Sequence, residues 1–111
     1  MSHLPLRPIE FQILLILAEQ PSHGYAIIQE TARRTGGKVH LQPGTLYRAI
    51  QRLEDGDLIR EVVDLPERDS DDPRRRYFTL TDQGRSVAAE EAQRLATLVQ
   101  EARTSGLLSA S

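Results

Sequence analysis

This sequence contains no cysteine. Disulfides, thiolate nucleophiles and Cys-bearing metal sites are therefore excluded. The absence fits a reducing compartment, and a cytoplasmic location is expected. Long apolar runs are missing as well. The longest, ILLILA at 13–18, falls far short of the ~20 residues that cross a bilayer. Glu10 and Gln12 interrupt the stretch around it and no small-residue cleavage site follows. It reads as a buried helix rather than a secretion signal, and no membrane partner is expected. Nor is there a basic surplus, for the formal net charge is −2 and the pI is near 5.9. That argues against a protein that coats nucleic acid non-specifically. A local basic site is still open, because what matters is where the charges sit.

What is present, 39% hydrophobic and 27% charged residues over 111 positions, is the composition of one soluble globular domain. Pro8 is well placed to open a helix over 8–20. Ile9, Phe11, Ile13, Leu14, Leu15, Ile16 and Leu17 cover nearly its whole circumference. A helix apolar all round must be covered on all sides, which makes a subunit interface plausible. QPSHG at 20–24 reads as a turn, with Ser22 the N-cap of a second helix over 23–35. Tyr25, Ile28 and Ala32 form its stripe, and Gly36-Gly37 ends it by supplying positive φ. KVHL at 38–41 alternates polar and apolar residues and is a candidate short strand.

A third helix over 43–55 opens on Pro43, buries Leu46, Ile50 and Leu53, and is closed by Gly56. LIREVV at 58–63 and RRYFTL at 75–80 read as the strands of a hairpin, with the polar loop DLPERDSDDP between them. Thr81 reads as the N-cap of a fourth helix over 82–104, and Asp82 suits its dipole. Ala88, Ala92, Leu95, Val99 and Ala102 form a heptad-like seam, widened by Leu98, of the kind that faces another helix. Glu90 and Arg94 are expected to pair across one turn. The fold class is mainly α with a small β-hairpin. A winged helix-turn-helix over 1–80 precedes a C-terminal helix and tail over 81–111.

Thr45, Arg48 and Arg52 fall on one face of the third helix, with Gln51 and Asp55 beside it. Arginine forks match guanine edges and phosphates, and threonine and glutamine can donate to either. The bland alternative is a solvated helix face. Tyr47 sits between the faces, as half-buried core or as a phosphate donor. Arg74, Arg75 and Arg76 open the second strand like a wing reaching for a groove. They could equally neutralise Asp64, Glu67, Asp69, Asp71 and Asp72 in the loop before them. Arg33, Arg34 and Lys38 suit the C-terminal dipole of the second helix. Catalysis finds little support: His3, His23 and His40 share no ligand-like spacing, and no metal or cofactor motif is present.

PSHGYAII at 21–28, PGTLYRAIQRLEDGDLI at 43–59 and RRRYFTLTDQGR at 74–85 together resemble the PadR family of transcriptional regulators, over residues 9–95. The resemblance implies a homodimeric winged-helix repressor. Its recognition helix begins at PGTLY, which carries over Pro43, Gly44, Thr45, Tyr47 and Arg48. Arg75 and Arg76 match the family's wing contact, and Tyr25 the tyrosine of the second helix near the DNA backbone. Adding the neighbouring Gln51, Arg52 and Arg74 completes the expected DNA-binding set. The family dimerises through its N- and C-terminal helices, which here implicates Ile9, Ile13, Ile16, Ala88, Ala92, Leu95, Leu98, Val99 and Ala102. The expected partners are double-stranded operator DNA, roughly palindromic, a second copy of the chain, and an unidentified small-molecule effector. Three features depart from the pattern. Gln42 replaces a capping serine, the wing tip is acidic, and no tryptophan is present for the drug stacking of some members. The competing reading is a winged-helix protein–protein interaction module that binds no DNA.

Overall fold

In a computed structural model, the described residues, 3–63 and 75–109, form α1 (Pro8–Glu19), β1 (Ser22–His23), α2 (Gly24–Arg34), α3 (Pro43–Asp55), β2 (Ile59–Val62), β3 (Tyr77–Leu80) and α4 (Asp82–Thr104). The acidic loop and Arg74 lie outside the described residues. β3 is the middle strand of a three-stranded antiparallel sheet in the order β1-β3-β2. Ile59 pairs with Leu80 and Val62 with Tyr77, which makes the expected hairpin. On the other edge Ser22 pairs with Phe78 and His23 with Tyr77.

That third strand corrects two expectations. Ser22 is held in the sheet and does not cap α2. His23 does so instead, its Nδ1 accepting the Ala26 N–H at 3.1 Å. KVHL is no strand. The Lys38 N–H bonds the Thr35 carbonyl at 3.2 Å and the Val39 N–H bonds the Thr35 hydroxyl at 3.0 Å, so the segment folds back on the end of α2. Gly36 and Gly37 do take positive φ there, 63° and 82°. At the end of α3 the left-handed residue is Asp57 at φ 61°, not Gly56 at −86°. The Leu58 N–H then closes back on the Leu53 carbonyl at 2.9 Å.

Phe78 is fully buried at the centre, against Ile13, Leu14 and Leu17 of α1, Ile27 of α2, and Leu46, Ile50 and Leu53 of α3. α1 touches α2, α3, α4 and β3. It is not covered on every side, because Leu15 is 40% exposed while Ile9 and Phe11 are half-buried. Ile13 and Ile16 are both buried in the chain's own core. They are removed from the expected dimer face, since an intrachain core residue has no surface left to offer.

α4 begins in the same core, where Val87 is buried and Ala88 packs against it. Its start is set by a close approach. The Thr81 hydroxyl donates to the Asp57 carbonyl at 2.6 Å and accepts the Gly84 N–H at 2.9 Å. A Cβ on Gly84 would stand 1.9 Å from the Leu58 carbonyl oxygen. One turn further on, Glu91 is buried, and its carboxylate accepts the Leu6 N–H at 3.0 Å and pairs with Arg94. The expected Glu90–Arg94 pair does not form. Glu91 is the carboxylate turned inward, and a buried charge needs the partner more. The Arg94 guanidinium holds the Glu91 carboxyl below its ordinary value, against the opposing effect of burial and with help from the Leu6 N–H.

Two predictions follow from these contacts. Gly84→Ala should destabilise by about 1–3 kcal/mol or more, because backbone cannot swing aside as a side chain can. Thermal denaturation checks it, and an unchanged midpoint would refute the close approach. Glu91 has a folded pKa below its unfolded one, so its stabilisation is fully present above the ordinary carboxylate range and is lost as pH falls through the folded value. Glu91→Gln should therefore melt below wild type at pH 7, with the gap narrowing toward pH ~3. A gap that stays constant over melts from pH 7 to 3 contradicts the linkage.

Candidate nucleic-acid interface

α3 is a 13-residue helix whose buried side carries Leu46, Ala49, Ile50 and Leu53. At 3.6 residues per turn its outward side is then centred on Gly44, Arg48, Gln51 and Asp55, and all four are exposed. Tyr47 lies on one flank. Thr45, half-buried, and Arg52 lie on the other. Pro43 opens the helix, and Gln42 makes no side-chain cap.

The Arg48 side chain runs back toward the start of α3. Its Nη2 lies 3.4 Å from the Thr45 hydroxyl, and its Nη1 would be 3.5 Å from a Cβ on Gly44. Among the described residues it meets no carboxylate. Arg52 is different. Its Nε donates to Glu10 of α1 at 2.5 Å, and Glu10 is buried. Arg52 thus joins two helices as well as facing outward. The Gln51 amide donates to Asp55 at 2.9 Å. The outward side is therefore narrower than the sequence pattern suggests.

Tyr47 reaches α2. Its hydroxyl would be only 2.6 Å from a Cβ at Gly24, so the glycine opens the space that the phenol fills. Tyr25, one residue on, is 56% exposed. The His23 ring is parallel to Tyr25 at 6.5 Å and edge-on to Tyr77 at 5.1 Å. Because its Nδ1 accepts from Ala26, a neutral His23 carries its proton on Nε2. Arg75 Nη1 lies 3.4 Å from that nitrogen, and its guanidinium is 5.7 Å from the Tyr25 ring centre. Start of α2 and base of wing thus meet in one cluster, in which Tyr25 is exposed, His23 and Arg75 half-buried and Tyr77 buried. Arg76 turns away from it. It pairs with Glu61 at 2.9 Å and Glu54 at 3.4 Å, and it stacks over Phe78.

The arginines at the end of α2 are committed too. Arg33 pairs with Glu30, and Arg34 bridges Glu30 and Glu19. The two guanidiniums pull the Glu30 carboxyl down to about 2. The structure thus brings Tyr25, Gly44, Tyr47, Arg48 and Arg75 to one side. Arg52 borders that side as the partner of Glu10, and Arg76, held by Glu61 and Glu54, turns away from it.

On the expected dimer face, Ala92, Leu98 and Val99 are exposed, and Leu95 and Ala102 half-buried. Ile9 and Ala88 lean on the chain's own core. Sequence reasoning missed Glu10, His23 and Glu91. Glu10 and Glu91 had one available signal each: a carboxylate on a side otherwise turned to the core. Among the described residues no helix is long and apolar enough to cross a membrane, and no carboxylate–histidine group could hold a metal.

A protein of 37.1 kDa in a transposon of Streptomyces fradiae, itself uncharacterized, is 37% identical over 86 residues. The match covers 78% of this chain but 22% of that protein, so the chain spans less than a quarter of its length. The fold is that of a PadR family transcription regulator from Clostridium difficile, with a TM-score of 0.70 and 27% identity over 86% of this chain and 95% of that one. A PadR-like transcriptional regulator from Bacillus cereus aligns with a TM-score of 0.73 over 93% of both chains, and at 22% identity it bears on the fold alone. The family model for the transcriptional regulator PadR-like family matches residues 13–90, a span that holds the core, α3 and the wing together. On that match the chain belongs to the PadR-like family of transcriptional regulators.

Proposed function

We propose that the chain regulates transcription by placing α3 in the major groove of operator DNA. The observation that carries this reading is Arg48. It is exposed at the centre of the outward side of α3 and has no carboxylate partner among the described residues. An arginine fork so placed matches the O6 and N7 acceptors of guanine. Tyr47, Tyr25 and Arg75 would supply the hydroxyls and cation that hold register on phosphates. Thr45, Gln51 and Arg52 would take secondary contacts. Family membership supports the same reading.

The active form is a homodimer. Ala92, Leu95, Leu98, Val99 and Ala102 extend along α4 beyond the point where it leaves the core, and Leu15 of α1 is exposed. Those apolar positions support a helix-to-helix interface with a second copy. In this division residues 1–80 read DNA and 81–111 join the subunits. Two α3 helices related by a twofold axis would address half-sites about one helical turn, roughly 34–36 Å, apart on a nearly palindromic operator. Repression is the simplest outcome of occupying such a site, and an effector would act through the α1–α4 contact that sets the spacing.

Fluorescence anisotropy with duplex from the protein's own upstream region, beside scrambled duplex, tests the reading. Binding should weaken steeply with salt. Arg48→Ala should cost about 1–3 kcal/mol and relax preference at one base pair. Unchanged affinity and preference would remove Arg48 from base reading, and salt-independent or absent binding would favour the interaction module. Arg52→Ala has a second consequence. It strands the buried Glu10 carboxylate and should cost about 1–3 kcal/mol of fold stability, toward the low end because its side chain is 41% exposed. Arg48→Ala should melt like wild type. Equal melting of both variants would show that the Glu10–Arg52 pair holds nothing.

A further inference from the structure

Beside α3, on the flank away from Tyr47, the start of α1 leaves a groove of about 410 Å³ lined by Arg7, Pro8, Ile9, Thr45, Arg48 and Arg52. Three arginines line it, Arg7 at the N-cap of α1 and Arg48 and Arg52 on α3. The carboxylate beside them, Glu10, is buried and bound to Arg52. Arg7 and Arg48 meet no carboxylate among the described residues. Like charges gathered this closely repel unless an anion lies between them. The Thr45 hydroxyl adds a neutral donor at the same place.

Arg7 is also held in position, which an arm at the edge of a domain ordinarily is not. Leu6 before it is buried, and its N–H is bound to Glu91. Pro8 after it restricts Arg7 to extended backbone, here φ −66° and ψ 144°. The chain on both sides is therefore fixed, and only the side chain is left to move.

We propose that Arg7, beside Arg52, takes one phosphodiester of the DNA backbone at the edge of the major groove that α3 enters, while Arg48 keeps the base edge. This rests on the DNA-binding reading and adds to it a contact from the N-cap of α1. The groove is continuous with the outward side of α3, so a duplex that meets Arg48 brings its backbone past Arg7. Arg7 then acts as a positioning residue: it adds affinity for any duplex and carries no base preference. Because α1 also packs on α4, the contact ties register on DNA directly to the helix that sets subunit spacing.

The test uses the full chain, own-region and scrambled duplex, and a salt series. Arg7→Ala should lose affinity for both duplexes by the same factor, and the slope of log affinity against log salt should shrink by about 0.9 for one phosphate contact. Arg7→Lys should keep the slope. Arg103→Ala removes the same charge from the last turn of α4 and should change nothing. A neutral methylphosphonate scanned along the duplex should reveal one linkage whose replacement weakens wild type but not Arg7→Ala. Wild-type binding with an identical salt slope in Arg7→Ala overturns the Arg7 contact and leaves the recognition helix untouched. Wild type without salt-dependent duplex binding overturns the DNA reading and the Arg7 contact with it.

Discussion

Gly84 lies against the Leu58 carbonyl with no room for a methyl group, and the position of α4 follows from that contact. Leu58 is also the residue whose N–H closes the end of α3, and whose carbonyl accepts the Thr81 N–H at 3.1 Å. Asp57, in the left-handed region, turns the chain sharply enough to make both bonds. Thr81 then caps α4 through Gly84 while its hydroxyl holds the Asp57 carbonyl. The end of α3, the base of the wing and the beginning of α4 therefore meet within a few residues. α3 and α4 are coupled through backbone, which does not rotate away as a side chain would.

The chain carries a net charge of −2, yet its α3 side is basic. The reason lies in how the carboxylates are distributed. Glu10 takes Arg52, Glu19 and Glu30 take Arg33 and Arg34, Glu54 and Glu61 take Arg76, and Glu91 takes Arg94. Among the described residues no carboxylate takes Arg48 or Arg7. At physiological ionic strength charges farther apart than about 8 Å hardly sense one another. Local pairing, rather than the total, decides which surface attracts an anion.

α1 serves several neighbours at once, and its composition follows from that. Ile13, Leu14 and Leu17 fill the core, Leu15 faces outward, and Glu10 reaches Arg52. α4 divides along its length instead. Its first turns complete the core through Val87, and its later turns carry apolar residues that the single chain does not cover. A helix that leaves its own domain with an apolar seam has, in water, a standing reason to meet another helix.

The sequence by itself determined α3 and α4 to the residue, 43–55 and 82–104, because Pro43, Thr81 and the apolar stripes act within one or two turns. Its motif blocks determined the family as well. β1 was illegible, since two residues carry no periodicity and Ser22 and His23 become a strand only when Phe78 and Tyr77 arrive from 56 and 54 residues away. An all-apolar helix could not say that Ile13 and Ile16 face inward while Leu15 does not. Periodicity offered Glu90 to Arg94, and burial chose Glu91 instead. The pattern placed Arg52 beside Arg48 on one face, and only the fold brought Glu10 from 42 residues away to hold one arginine and leave the other free. Local signals fix elements because their causes lie within a turn of chain. Which charge stays unpaired is decided by packing between elements, and that exists only once the chain has folded.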